Sequence, residues 1–316
     1  MKQYYHHSGI TPTMTAPIHT YNVFDRSRAM LDFPEIAVLT PIGKLCEPLS
    51  IRDLCANTVD HIVNIVQTKK IIVAWSGGID STMVLAEFLK TVPIDQLTVM
   101  MNNNSIKEYP EFYKKYIENK IEIVPMDFYN DSMNAAYLEN SVIVTGCLMD
   151  QTFGCRTYEV MPSWMMYQTV DSFISTLNSS TAESYLKIIA ACPRTLANVK
   201  DFIWWFNYLT SYQDEEIKWA LDVPASIIGK NIFHFANGPD WNDFAVSTDI
   251  EVKYPGNSYN DYKMLLKKQL YEFTKDEQYT RYKVKVVSWR KYRTAEQRKL
   301  TRALYIDTNW TRGYSF

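Results

Sequence analysis

The first strongly patterned stretch of the chain runs from Ser50 to Gln67, where Leu54, Val59, Ile62, Val63 and Val66 recur at close to helical spacing. Ser50 stands before it as an N-cap, with Asp53 at the third helical position, and the pair predicts a helix leading into the first strand. Short β-rich apolar runs then alternate with helical patterns. Lys70–Trp75, Leu97–Met101, Ile121–Met126 and Val142–Gly146 read as strands, and Ser81–Lys90, Glu111–Asn119 and Asp131–Asn140 as helices. Strands separated by helices of this length predict an α/β fold, a parallel sheet with helices on both faces.

Past residue 160 the alternation stops. Ser172–Ile189, Leu196–Leu209, Asp214–Leu221 and Asn260–Thr274 read as helices, so a mostly helical C-terminal half is expected. Residues 1–49 carry Pro12, Pro17, Pro34, Pro41 and Pro48 with weak periodicity, and read as an extended lead-in with one short strand at Ile36–Leu39. The expected division is a lead-in at 1–49, an α/β domain at 50–160 and a helical completion region at 161–316, with an extensive interface between the last two.

Composition narrows the function classes. A chain of 316 residues that is 47% apolar can bury a substantial core. Its net charge of -2 provides no overall polycation, so nucleic acid or an anionic surface would need a local patch. The five cysteines, Cys46, Cys55, Cys147, Cys155 and Cys192, form no CxxC pair, which favours reduced thiols and offers no zinc site. No signal-peptide pattern is present, and no apolar run approaches the roughly 20 residues of a membrane span. A soluble, cytoplasmic protein without a membrane partner is expected.

The sharpest chemical feature is Ile72-Val73-Ala74-Trp75-Ser76-Gly77-Gly78-Ile79-Asp80-Ser81-Thr82. A buried strand delivers the chain into a glycine turn and a helix begins at once, so unpaired N–H groups and the positive helix end converge where an anion fits. Gly77 and Gly78 let the backbone approach phosphate oxygens, and the Ser76 and Ser81 hydroxyls can donate to them. Asp80 would repel a phosphate unless a cation stood between them, which points to Mg²⁺. The bland alternative is an ordinary strand-turn-helix junction capped by Ser81. Neither GxGxxG nor GxxxxGK[ST] occurs in this chain.

Ser-Gly-Gly-Ile-Asp-Ser after a strand resembles the signature of the N-type ATP pyrophosphatases, the PP-loop superfamily. The resemblance implies an adenosine-binding α/β sheet of the adenine nucleotide alpha hydrolase (HUP) type. It also implies attack of a substrate oxygen on the α-phosphate of ATP, then displacement of AMP by a nitrogen or sulfur nucleophile. Backbone around Val73–Trp75 and Met100–Asn102, Met101 included, would meet the adenosine.

A second motif, Thr145-Gly146-Cys147-Leu148-Met149-Asp150-Gln151-Thr152-Phe153-Gly154, again follows a strand. It is similar to the S-G-E-G-x-D-E-x-F-G segment of asparagine-synthetase-like domains, and Gly146, Asp150, Phe153 and Gly154 match. The resemblance gives Asp150 a share in Mg²⁺ and pyrophosphate. Cys147 stands where that branch has a glutamate that handles the amine, and Gln151 where a second acid follows the aspartate. The branch also carries a late lysine on the phosphates, for which Lys285, or failing that Lys283, is the candidate; both equally suit an exposed strand with alternating lysines. Residue 2 is Lys2 rather than the nucleophilic cysteine of a glutaminase domain, so ammonia is expected to come free, from an amine substrate or from a separate donor protein.

The first reading is thus an ATP- and Mg²⁺-dependent ligase that adenylates a small carboxylate- or amide-bearing substrate and forms an amide, with Asp150, Lys285, Lys283 and Cys147 as its catalytic candidates. A second is thiolation or amidation of RNA or a nucleobase, motivated by Cys147, Cys155 and the basic, aromatic-interleaved stretch from Arg281 to Arg302. A third is a degenerate nucleotide-binding scaffold. His234, set among aromatics, reads as a hydrogen-bonded core residue.

Overall fold

The structure, a computed structural model, describes residues 42–66, 69–126, 135–154, 163–209, 232–256 and 261–283. The expected first helix is present as α1 (Ile51–Val66), and Ser50 starts it as anticipated. Its Oγ accepts from the Asp53 N–H at 3.1 Å and donates to the Asp53 carboxylate at 2.7 Å. The chain continues through β1 (Lys70–Ala74), α2 (Ile79–Thr91), β2 (Leu97–Met101), α3 (Asn103–Glu108) and α4 (Pro110–Phe112), which runs into a π-helical turn at Tyr113–Ile117. β3 (Glu122–Pro125), α5 (Ala135–Glu139), β4 (Ser141–Thr145) and α6 (Met149–Phe153) follow.

The remaining elements are α7 (Ser163–Met166), α8 (Val170–Ile174), α9 (Ser179–Ala190), α10 (199–209) and β5 (Ile232–His234). Last come α11 (Pro239–Ser247), α12 (Ile250–Lys253), α13 (Met264–Thr274) and α14 (Glu277–Tyr282). No helix among the described residues is long and apolar enough to cross a membrane.

The five strands form one all-parallel sheet in the order β3-β2-β1-β4-β5. Helices cover both faces, as the alternation predicts. Ile71, Val73 and Trp75 of one face pack with α1 and α2, while Ile72 and Ala74 of the other pack with Leu138 of α5. The chain leaves β1 toward β2 and β3, then returns to lay β4 against the other side of β1. The topological switch point therefore lies between β1 and β4, and in such sheets ligands bind there, beyond the carboxyl ends of the strands.

Several expected elements differ. β5 was not expected as a strand: its three residues are too few to show an alternation. It pairs with β4 through Thr145 opposite His234, so the sheet draws on both sides of residue 160. His234 is half-buried rather than in the core.

The single helix expected over Ser172–Ile189 is two, α8 and α9. Near the break the Ser175 and Thr176 hydroxyls donate to the carbonyls of Ser172 and Phe173, competing with the helical ladder. α3 has no apolar period. It is announced instead by its cap, the Asn102 side chain accepting from Asn104 and Ser105 N–H groups. The strand expected at Ile36–Leu39 and the helix expected at Asp214–Leu221 lie outside the described residues.

Candidate functional site

β1 ends at Ala74, two residues short of the Ser76-Gly77-Gly78 turn, and α2 begins at Ile79. Gly77 has φ +74°, and a Cβ there would stand 2.4 Å from the Ser105 carbonyl oxygen, so only glycine fits. Gly78 caps α2 in extended conformation without a side-chain acceptor, leaving the first N–H groups of the helix turned toward the loop. The two serines brace this turn from within. Ser81 Oγ accepts from Ser76 N–H at 3.0 Å and lies 3.0 Å from Ser76 Oγ, which in turn accepts from Gly78 N–H at 3.3 Å.

The second motif lies against the first. A Cβ on Gly146 would come within 2.8 Å of the Asp80 carbonyl carbon and the Ser81 nitrogen, so this glycine is what lets the loop after β4 touch the start of α2. Leu148, at φ +76°, then turns the chain into α6 and carries Asp150 toward Asp80. Both carboxylates meet one ammonium. Lys263 Nζ lies 2.6 and 2.5 Å from the two Asp80 oxygens and 2.6 Å from Asp150 Oδ1, and Tyr262 OH donates to the same Asp150 oxygen at 2.7 Å.

Lys263 itself sits in the left-handed region, φ +56°, just before α13. Burial works against its charge, but Asp150 and Asp80 outweigh that and hold its pKa above the ordinary lysine value. For Asp80 burial is also the largest influence and pushes the carboxyl up, with Lys263 pulling it back and Asp150 adding to the rise.

A second lysine reaches the loop from the chain just past α14. Lys283 Nζ is 2.5 Å from Glu108 Oε1 and 3.9 Å from where a Cβ on Gly78 would be. From the sequence Lys283 reads equally as a phosphate-contacting lysine and as part of an exposed strand with alternating lysines. In the structure it is the C-cap of α14, a helix started by Asp276, which accepts from Tyr279 N–H at 2.8 Å, and its side chain is nearly covered. Tyr279 stacks on Tyr109 with centroids 3.4 Å apart and planes 4° from parallel, and its hydroxyl donates to the Gly77 carbonyl at 2.5 Å. Tyr109 OH closes the ring of contacts by donating to Asp276.

Lys267, one turn along α13 from Lys263, has its pKa lowered to about 8. Burial is the main cause, with Asp261 opposing it and the Lys263 and Lys283 ammoniums adding to it. The folded chain thus holds this proton less tightly than the unfolded one, where lysine titrates near about 10.4. Through this group stability rises as pH rises from about 8 toward the unfolded value. In urea titrations Lys267→Met is expected to be the more stable form at neutral pH, with its advantage shrinking across that interval. An advantage that did not change with pH would contradict the lowered pKa.

Of the residues read from sequence as a site, Ser76, Gly77, Gly78, Asp80, Ser81, Gly146, Asp150 and Lys283 come together around the switch point. Val73, Trp75 and Met101 have their side chains in the core, and the Trp75 N–H is taken by the Met100 carbonyl at 2.9 Å. Cys147 donates its N–H to Thr145 Oγ1, which is 2.7 Å from His234 Nδ1, and its side chain packs against the apolar residues of the sheet. Lys285, Cys155 and the basic residues after Lys283 lie outside the described residues.

Lys263, Tyr262, Glu108, Tyr279 and Lys267 were not read as site residues; Tyr279 only opens the stretch that carries the late-lysine candidates, and no motif surrounds the other four. No group of three or more His, Cys, Asp or Glu side chains able to hold a metal occurs among the described residues. Mg²⁺, however, is commonly held by only one or two carboxylates together with water and substrate phosphates. No family model matches the chain, and the curated proteins hold no match to it.

Proposed function

We propose that this protein is an ATP-dependent ligase of the PP-loop type, which adenylates a small carboxylate-bearing substrate with release of pyrophosphate and then forms an amide with ammonia or an amine. The observation that carries the reading is the convergence of Asp80 and Asp150, from two separate glycine motifs, on one cation beside the N-terminus of α2. The strand order, with both motifs at the switch point, is what an adenine-nucleotide sheet of the HUP type would use.

What supports Mg²⁺ here is that both carboxylates already touch one cation, the Lys263 ammonium. Asp80 and Asp150 would hold the ion, whose charge would offset that of the pyrophosphate. The N–H groups at the start of α2 and the Ser76 and Ser81 hydroxyls would bind phosphate oxygens. Lys283, above Gly78, and Lys263, once released from the aspartates, would stabilise negative charge developing on the leaving group. Cys147 and Gln151 in place of acids point to an acceptor different from that of asparagine synthetases.

A non-catalytic nucleotide-binding scaffold draws support from Lys263, which satisfies both carboxylates without a metal. Incubation with ATP, Mg²⁺, ammonia and a panel of carboxylic acids separates the two. Release of AMP and pyrophosphate is expected. ADP with phosphate would sink the ligase reading, and ATP binding without turnover would establish the scaffold.

A further inference from the structure

Glu108 is the last residue of α3, and Lys283 arrives from the far end of the described chain. Their side chains are only 5% and 7% exposed, yet they form an ion pair of 2.5 Å. The second Glu108 oxygen, Oε2, is buried and has no hydrogen-bond partner among the described residues. Burying two charges costs desolvation that an incompletely bonded pair does not recover, so such a pair is a poor source of stability.

Its location suggests a different role. A Cβ on Gly77 would fall 2.7 Å from Glu108 Cβ, so the bare glycine is what lets the glutamate pass under the turn. Beyond it, Lys283 Nζ is lodged beside Gly78, and its approach to the Tyr279 ring at 5.7 Å borders it on another side.

We propose that Glu108 is a positioning residue: it holds the Lys283 ammonium over the Gly77-Gly78 turn, where the phosphate chain of the nucleotide would lie. The inference rests on the phosphate-binding reading of this loop. Glu108 acts through Lys283 rather than through a network of its own, since one carboxylate oxygen takes the ammonium and the other has no partner among the described residues. An ammonium left without this anchor would swing off the turn and lose its fixed distance to the phosphates, while adenosine, which carries none, would bind as before.

Calorimetry on the full chain with MgATP, and separately with adenosine, tests this in the wild type, Glu108→Gln, Lys283→Met and the double variant. Each single substitution is expected to weaken MgATP about tenfold, and the double to be no weaker than Lys283→Met, the non-additivity of groups that act as a unit. Adenosine affinity should be unchanged throughout.

Additive losses, or equal losses for MgATP and adenosine, would overturn the positioning role and leave Glu108 a structural residue. A wild type that binds neither ligand would instead remove the nucleotide reading itself. Glu108→Asp, which keeps the charge but shortens the reach by one methylene, runs the same cycle should Glu108→Gln fail to fold.

Discussion

Replacing Asp80 by alanine is expected to lower Mg²⁺-dependent pyrophosphate release by about 10³-fold, the scale of losing one preorganised electrostatic contact in a closed site. Asp80 lies at the second position of α2, and both its oxygens are engaged by Lys263. Its removal leaves Asp150 alone with that ammonium, so no two-carboxylate cation site remains. The same change takes a negative charge away from the phosphates, and affinity for ATP without metal should hold or rise. A fall in turnover together with retained metal-free binding is therefore the signature, read by pyrophosphate release and by calorimetry on the same preparation. Unchanged release would show that the aspartate pair has no part in the chemistry and would end the ligase assignment. Asp80→Asn, nearly isosteric, separates loss of charge from loss of packing.

The largest expected effect on stability is at Trp75, where alanine should cost about 4 kcal/mol, as for large aromatic-to-alanine changes in cores. The indole is fully buried directly before the Ser76-Gly77-Gly78 turn. It stacks on Phe112 at 5.8 Å and donates its N–H to Thr82 Oγ1 at 3.0 Å, tying the end of β1 to the first turn of α2. Truncation opens a cavity beneath the loop and leaves the Thr82 hydroxyl only its longer contact with Tyr279 OH at 3.5 Å. Trp75→Phe keeps much of the packing and forfeits the hydrogen bond, for which about 1 kcal/mol is expected. Chemical denaturation monitored by circular dichroism gives both values. A cost for alanine below that of phenylalanine would mean that the ring does not fill the space assigned to it.

The parts of the fold legible in the sequence were those in which each segment carries its own signal. Ile71–Ala74, Leu97–Met101 and Val142–Thr145 are short, largely apolar runs, buried throughout because both sheet faces are covered, and helical periods separate them. The glycines at 77 and 146 were legible for a related reason: a tight turn or a close approach leaves a residue choice visible locally. What failed to show was whatever depended on a partner elsewhere. β5 has three residues and exists because β4 offers it an edge. Lys283 suited an alternating strand as well as a phosphate contact, and a helix started by Asp276 made it a C-cap.

The chain's own pattern was enough to determine a parallel α/β sheet and the position of the Ser76-Gly77-Gly78 turn between a strand and a helix, since local sterics and periodicity specify such elements within a few residues. That Asp80 and Asp150 belong to one site was implied only by the resemblance of the two motifs to a known family. Tertiary structure alone decided which cations face those acids. Lys263 is 183 positions from Asp80, and Lys283 is likewise 175 positions from Glu108. Charge interactions act through space over a few ångströms and leave no trace in spacing along a sequence. Only the folding of α13 and α14 back over the switch point could bring these groups together.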